Sequence, residues 1–101
     1  MPSRFLISQA VQERTKFLCH VMCEITGQNV LSESKIRSVA IPRMMVMYQL
    51  RLEGISGSDV ARLLGKNHST VIYSAKRVND MLTTPGYNAE REIWKEFQSK
   101  I

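Results

Sequence analysis

Residues 65–78 read GKNHSTVIYSAKRV. Four short polar side chains, Asn67, His68, Ser69 and Thr70, stand in a row at the start of a helical pattern, flanked by Lys66, Lys76 and Arg77. Such a row allows four chemistries: a phosphate-binding loop, a catalytic cluster, a helix cap, or the reading end of a DNA-recognition helix. It is not a Walker-type phosphate loop. That loop needs a glycine where Val60 stands and a Ser or Thr directly after the lysine, where Asn67 stands. His68 and Ser69 do not make a nucleophile–base pair, because no acid in the same turn orients the imidazole. Asn67 is a good helix cap, and a cap is compatible with groove reading. The short heads suit a DNA major groove, where amides match adenine and threonine offers a hydroxyl and a methyl to thymine. The unpaired N–H groups of a helix start also favour a nearby phosphate.

These residues need elements to place them, and the pattern is helical throughout. Ser8 is a natural N-cap for a helix running to about Thr26, with Gly27 placed to stop it. Val11, Leu18, Met22 and Ile25 recur there at helical spacing. NVLSESKIRS then reads as a single turn followed by a basic loop. A second helix is expected from Val39 to Glu53, with Pro42 in its first turn and an apolar body of Met44, Met45, Val46, Met47, Leu50 and Leu52. Gly54 ends it. Ser56 and Asp59 form a capping pair for a short helix carrying Val60, Leu63 and Leu64, closed by Gly65. Asn67 caps the next helix, whose apolar stripe reads Val71, Ala75, Val78 and Leu82. TTPGYN is a break. A last helix from about Ala89 to Lys100 presents Ile93, Trp94 and Phe97 as core or docking residues. No segment alternates as a strand does, and there is no repeat or low-complexity tract. The expectation is an all-α domain of five to six helices. A short helix, a Gly-containing turn and a longer helix at its centre form a helix-turn-helix, whose second helix enters the major groove by its first turn.

Length, charge and cysteines bound the rest. The 101 residues amount to one domain, 1–101, with a modest core. The net charge of +5 suggests a polyanionic partner. Residues 28–82 carry eight basic and four acidic side chains, so +4 of the +5 lies there. Cys19 and Cys23 are too few for a disulfide framework and are expected to be reduced thiols of a cytoplasmic, nucleoid-associated protein. With His20 they could ligate a metal, but no second ligand pair exists. The N-terminal MPSRFLISQAVQER has no apolar run of signal-peptide type, and no stretch is long and apolar enough to span a membrane. No catalytic role, cofactor or nucleotide is expected.

GKNHSTVIYSAKRV resembles the signature of the C-terminal DNA-binding domain of the bacterial replication initiator DnaA family. That signature reads Gly-Gly-Arg-Asp-His-Thr-Thr-Val, then an aliphatic residue and His or Tyr. His68, Thr70 and Val71 match it directly, and Ser69 replaces a threonine. RSVAIPRMMVMYQLR resembles the family's basic loop and long helix, and ITGQNVLSESKIRS the segment before it. The resemblance covers residues 11–82, with 83–101 as a C-terminal helix.

The resemblance implies binding to an asymmetric AT-rich duplex. Asn67, His68, Ser69 and Thr70 would read bases in the major groove. Lys35 and Arg37 would enter the minor groove from the basic loop. Arg43, Arg51 and Lys66, with Lys76 and Arg77, would hold phosphates. Several positions depart from the pattern. Asn67 replaces an Asp, Lys35 an Arg, and Ile41 and Met44 replace polar or basic residues. The turn within Glu53–Gly65 is shorter by two residues. The family's ATPase module does not fit in this length, so origin melting and ATP switching are not expected. These departures leave open a second reading, a protein-interaction module that keeps the fold without specific readout.

Overall fold

In the computed structural model, which describes residues 7–101, five helices and no strand are present among the described residues. The first six residues of the stretch read for a signal peptide lie outside that range. The Ser8 hydroxyl accepts from the Val11 N–H at 3.2 Å and starts α1, Gln9–Thr26. Gly27 ends it in the left-handed region at φ 71°, donating its N–H to the Cys23 carbonyl at 2.7 Å. Leu18 and Met22 are fully buried on the inner face of α1. Cys19 is buried beside them, and desolvation pushes its thiol up to about 11. Cys23 is exposed, and both thiols are free.

The second helix, α2, spans Arg37–Leu52 and starts two residues before its expected first residue. Pro42 therefore lies inside the helix rather than in its first turn, where its missing N–H leaves the Ser38 carbonyl without the usual partner. α2 is the centre of the fold. Met45, Val46, Met47 and Leu50 are buried essentially completely, and α1, α3 and α4 all pack on it.

The short helix α3, Gly57–Leu64, has the expected Ser56 cap, with the Ser56 hydroxyl accepting from the Asp59 N–H at 3.2 Å. The reciprocal half of a capping box is absent, because the Asp59 carboxylate accepts from Arg62 instead. Gly65 closes α3 in the left-handed region, and α4 runs His68–Thr83. Its fully buried stripe is Val71, Ser74, Val78 and Met81, while Ala75 and Leu82 are only half-buried. Val71 and Val78 thus face inward as expected, while Ser74 and Met81 take the inner positions expected of Ala75 and Leu82. The last helix, α5, Asn88–Lys100, buries Phe97 completely and sets Trp94 between Phe97 and Tyr48, with ring centroids 5.8 and 5.4 Å away. It packs on α1 and α4.

One buried cation organises the segment between α1 and α2. Arg43 is only 8 % exposed. Its Nε donates to the Val30 carbonyl at 3.0 Å, and its Nη2 donates to the Ser32 and Ser34 carbonyls at 2.9 and 2.6 Å. The arginine expected to hold a phosphate thus spends these donors on the loop backbone. An ion pair, Arg14 with Glu53 at 2.8 Å, ties α1 to the end of α2, and the Gln49 amide donates to the same carboxylate.

Two outcomes follow for stability. Arg43→Ala should lower the free energy of unfolding in urea by about 2–3 kcal/mol, because it strands carbonyls that a charged donor now satisfies. Arg43→Lys should recover only part of this, since one ammonium cannot span the three carbonyls. An unchanged urea midpoint in Arg43→Ala would contradict the role. Hydrogen bonding from Arg14 holds the Glu53 carboxyl below its usual range. A depressed carboxyl adds stability above its unfolded pKa and loses it as pH falls through the folded value. Acid unfolding of Glu53→Gln should therefore depend less steeply on pH than that of the wild type.

Candidate nucleic-acid interface

The turn between α3 and α4 is tightened from both sides. The Lys66 N–H donates to the Ala61 carbonyl at 2.9 Å, closing α3, and Asn67 opens α4 in an extended conformation. The Asn67 Oδ1 accepts three hydrogen bonds: from the Thr70 N–H at 2.9 Å and from the Thr70 and Ser69 hydroxyls at 2.8 Å each. Bidentate pairing of an amide with adenine uses both its oxygen and its nitrogen. Here the oxygen is taken, so Asn67 faces a ligand with its NH₂ alone. Its first task is the cap, which also fixes the rotamers of Ser69 and Thr70.

His68 and Ser69 are exposed and Thr70 is half-buried. His68 has a defined seat. A β-carbon at Gly57 would lie 2.7 Å from the His68 Nε2 and 3.3 Å from the Ile72 Cδ1. The imidazole thus rests on the bare backbone at the start of α3, and a side chain at position 57 would displace the end of the ring. Sequence reading assigned Gly57 nothing, because its φ is ordinary and its use appears only once α3 and α4 cross.

The basic residues divide into two sets. Lys35 and Lys66 line an open groove of about 320 Å³ between the α1–α2 loop and α4. Thr70 and Ser74 form its α4 wall, Met44 and Met47 its α2 wall, and Arg43 reaches it from below. Glu33 stands at the same rim and partly offsets the positive charge. Lys76 is exposed on α4 two turns after Ser69. Arg77 lies over the Tyr87 ring, 5.9 Å from its centroid. Arg51, exposed near the end of α2, donates to the Ile55 carbonyl at 3.0 Å in the α2–α3 turn. Arg37 goes elsewhere. It is the first residue of α2, not part of the loop, and pairs with Glu90 of α5 at 2.9 Å. It lines a different, more apolar groove with Ile25, Ile36, Ile41 and Ile93. The structure therefore separates Lys35 from Arg37, which the sequence treats as a pair.

Two further α4 residues, at the aliphatic and His-or-Tyr positions of the signature stretch, have no role assigned from the sequence. Ile72 and Tyr73 are 45 % and 61 % exposed, one turn after His68 and Ser69. The helical spacing 68–72–76 and 69–73 carried that signal, masked by the apolar stripe assigned to the opposite face.

Residues 17–78 match the family model described as the bacterial dnaA protein helix-turn-helix. The chain belongs to this DNA-binding helix-turn-helix family. Over 60 residues it is 27 % identical to the chromosomal replication initiator protein DnaA of Tropheryma whipplei, in strains Twist and TW08/27 alike. The match covers 58 % of this chain and 13 % of those DnaA proteins, so the chain spans a small part of their length. The matched segment includes the α1–α2 loop, all of α2 and α3, and the first turns of α4. No helix among the described residues is long and apolar enough to cross a membrane.

The cap can be tested apart from any ligand. Asn67→Ala should cost about 1 kcal/mol in thermal or urea unfolding. Asn67→Asp should be neutral or stabilising, because a carboxylate accepts the same hydrogen bonds at a helix N-terminus. Equal losses in both variants would contradict the capping role.

Proposed function

We propose that the chain binds duplex DNA sequence-specifically. The first turn of α4 lies in the major groove, and Lys35 of the α1–α2 loop reaches the adjacent minor groove. The observation that carries this reading is the shared groove. Thr70, the last residue of the polar row that opens α4, and the two lysines Lys35 and Lys66 flank one concave surface. A helix start with short polar side chains, bordered by cations on separate elements, fits a duplex whose phosphates run along both edges. His68, Ser69 and Thr70 read base edges. Asn67 positions Ser69 and Thr70 and adds one donor. Arg51, Lys66, Lys76 and Arg77 hold phosphates. Arg37 pairs with Glu90 and Arg43 with the loop carbonyls, so we assign neither a leading part in DNA contact.

Replication control, transcription control and service to a mobile element share this binding chemistry. The relatives are chromosomal replication initiator proteins, which makes an origin-like AT-rich site the natural first target to assay.

Binding-site selection from random duplexes should return one consensus for the wild type. Thr70→Ala should weaken binding to that consensus by about 1–3 kcal/mol and weaken random DNA much less. With about four phosphates contacted, the slope of log K against log salt should be about −3.6. A single protein–duplex affinity independent of sequence, or a flat salt response, would overturn the reading in favour of a protein-interaction module.

A further inference from the structure

The exposed face of α4 is polar except at one step. His68, Ser69 and Lys76 share it with Ile72 and Tyr73. Ile72 follows His68 by one turn and Tyr73 follows Ser69 by one turn, so the two lie side by side just beyond the polar row. Neither is needed by the core, which α4 fills with Val71, Ser74, Val78 and Met81. Ile72 is nevertheless held in place, because its Cδ1 lies over Gly57 next to the His68 imidazole. Two large side chains, Ile72 seated against α3 and Tyr73 exposed beside it, are thus presented outward on the face proposed to enter the groove.

The major groove offers few apolar partners. Base edges there carry hydrogen-bond donors and acceptors, and the C5-methyl of thymine is the apolar group among them. We infer that Ile72 and Tyr73 form an apolar step that receives thymine methyl groups, one helical turn along the site from the bases read by Ser69 and Thr70. This rests on the DNA reading above and deepens it, because it assigns thymines to positions that the polar row does not reach. The aromatic ring covers a methyl by its face, and its hydroxyl stays at the edge where backbone phosphates lie. Lys76, a turn further on, neutralises phosphate on the same face.

Deoxyuridine tests this, because it lacks only the methyl and keeps every hydrogen-bonding group of thymine. Each thymine of the duplex recovered by selection is replaced singly by deoxyuridine, and affinity is measured by fluorescence titration. For the wild type, one or two positions should each weaken binding about fourfold, the factor expected for burying one CH₂-sized group. At those positions the penalty should vanish in Tyr73→Ser or Ile72→Ala and persist in Thr70→Ser. Tyr73 points outward, so Tyr73→Ser keeps the test valid if Ile72→Ala unfolds. Deoxyuridine without effect at every position, or a penalty unchanged in both variants, would overturn the inference while leaving specific binding standing. A selection that returns no consensus would overturn both.

Discussion

The guanidinium of Arg43 is the contact on which the proposed binding face depends. A cation in a helix interior is costly unless its donors are satisfied. Here backbone carbonyls from Val30 to Ser34 satisfy them. The exchange works in both directions. The carbonyls of a loop that forms no regular ladder gain partners, and the loop gains an anchor on the most deeply buried helix. Lys35 follows directly after the last of those carbonyls, so its position over α4 is set by the arginine below it. The same residue type that suggests phosphate binding in the sequence serves here to place another cation.

α2 transmits that order to the recognition helix. Its buried methionines and valine pack against α4, and Met44 and Met47 form the wall of the groove that Thr70 and Ser74 close from the other side. At the other end of the site, Gly57 lets His68 and Ile72 settle onto α3. The polar row is thus fixed at its base by Asn67 and at its side by the α3 backbone. Such preorganisation lowers the conformational entropy lost on binding. α5 packs on α1 and α4, and the Arg37–Glu90 pair ties it to the start of α2 beside a different groove.

The helical layout was largely legible because its signals are local. Ser8, Ser56 and Asn67 cap as their side chains suggest, and Gly27 and Gly65 end helices in the left-handed conformation that glycine tolerates. The helix-turn-helix followed from those stops and from apolar spacing. What could not be read depends on contacts distant in sequence. Arg43 and Arg37 look alike in the sequence until the fold buries Arg43 against the carbonyls of residues 30–34 and sets the exposed Arg37 beside the Glu90 carboxylate. The start of α2 was misplaced because Pro42 suggests a first turn, whereas burial of Val39 and Ile41 supports a helix that tolerates the proline inside it. Part of the α4 stripe was shifted because Ser74 looks like a surface residue, yet it is 1 % exposed against α2. Ile72 and Tyr73 were hidden by the same shift.

The division of the molecule into a groove side and a scaffold side can be measured directly by amide chemical-shift mapping. ¹⁵N-labelled protein would be titrated with a duplex of AT-rich sequence at low salt. If α4 and the anchored loop hold DNA, the largest shifts fall on Lys35 and on Lys66–Tyr73, with Lys76 following. Arg37, Glu90 and Ile93 stay unmoved. Shifts centred on the Arg37–Glu90 side, with Lys66–Tyr73 unchanged, would contradict the assignment of the binding face.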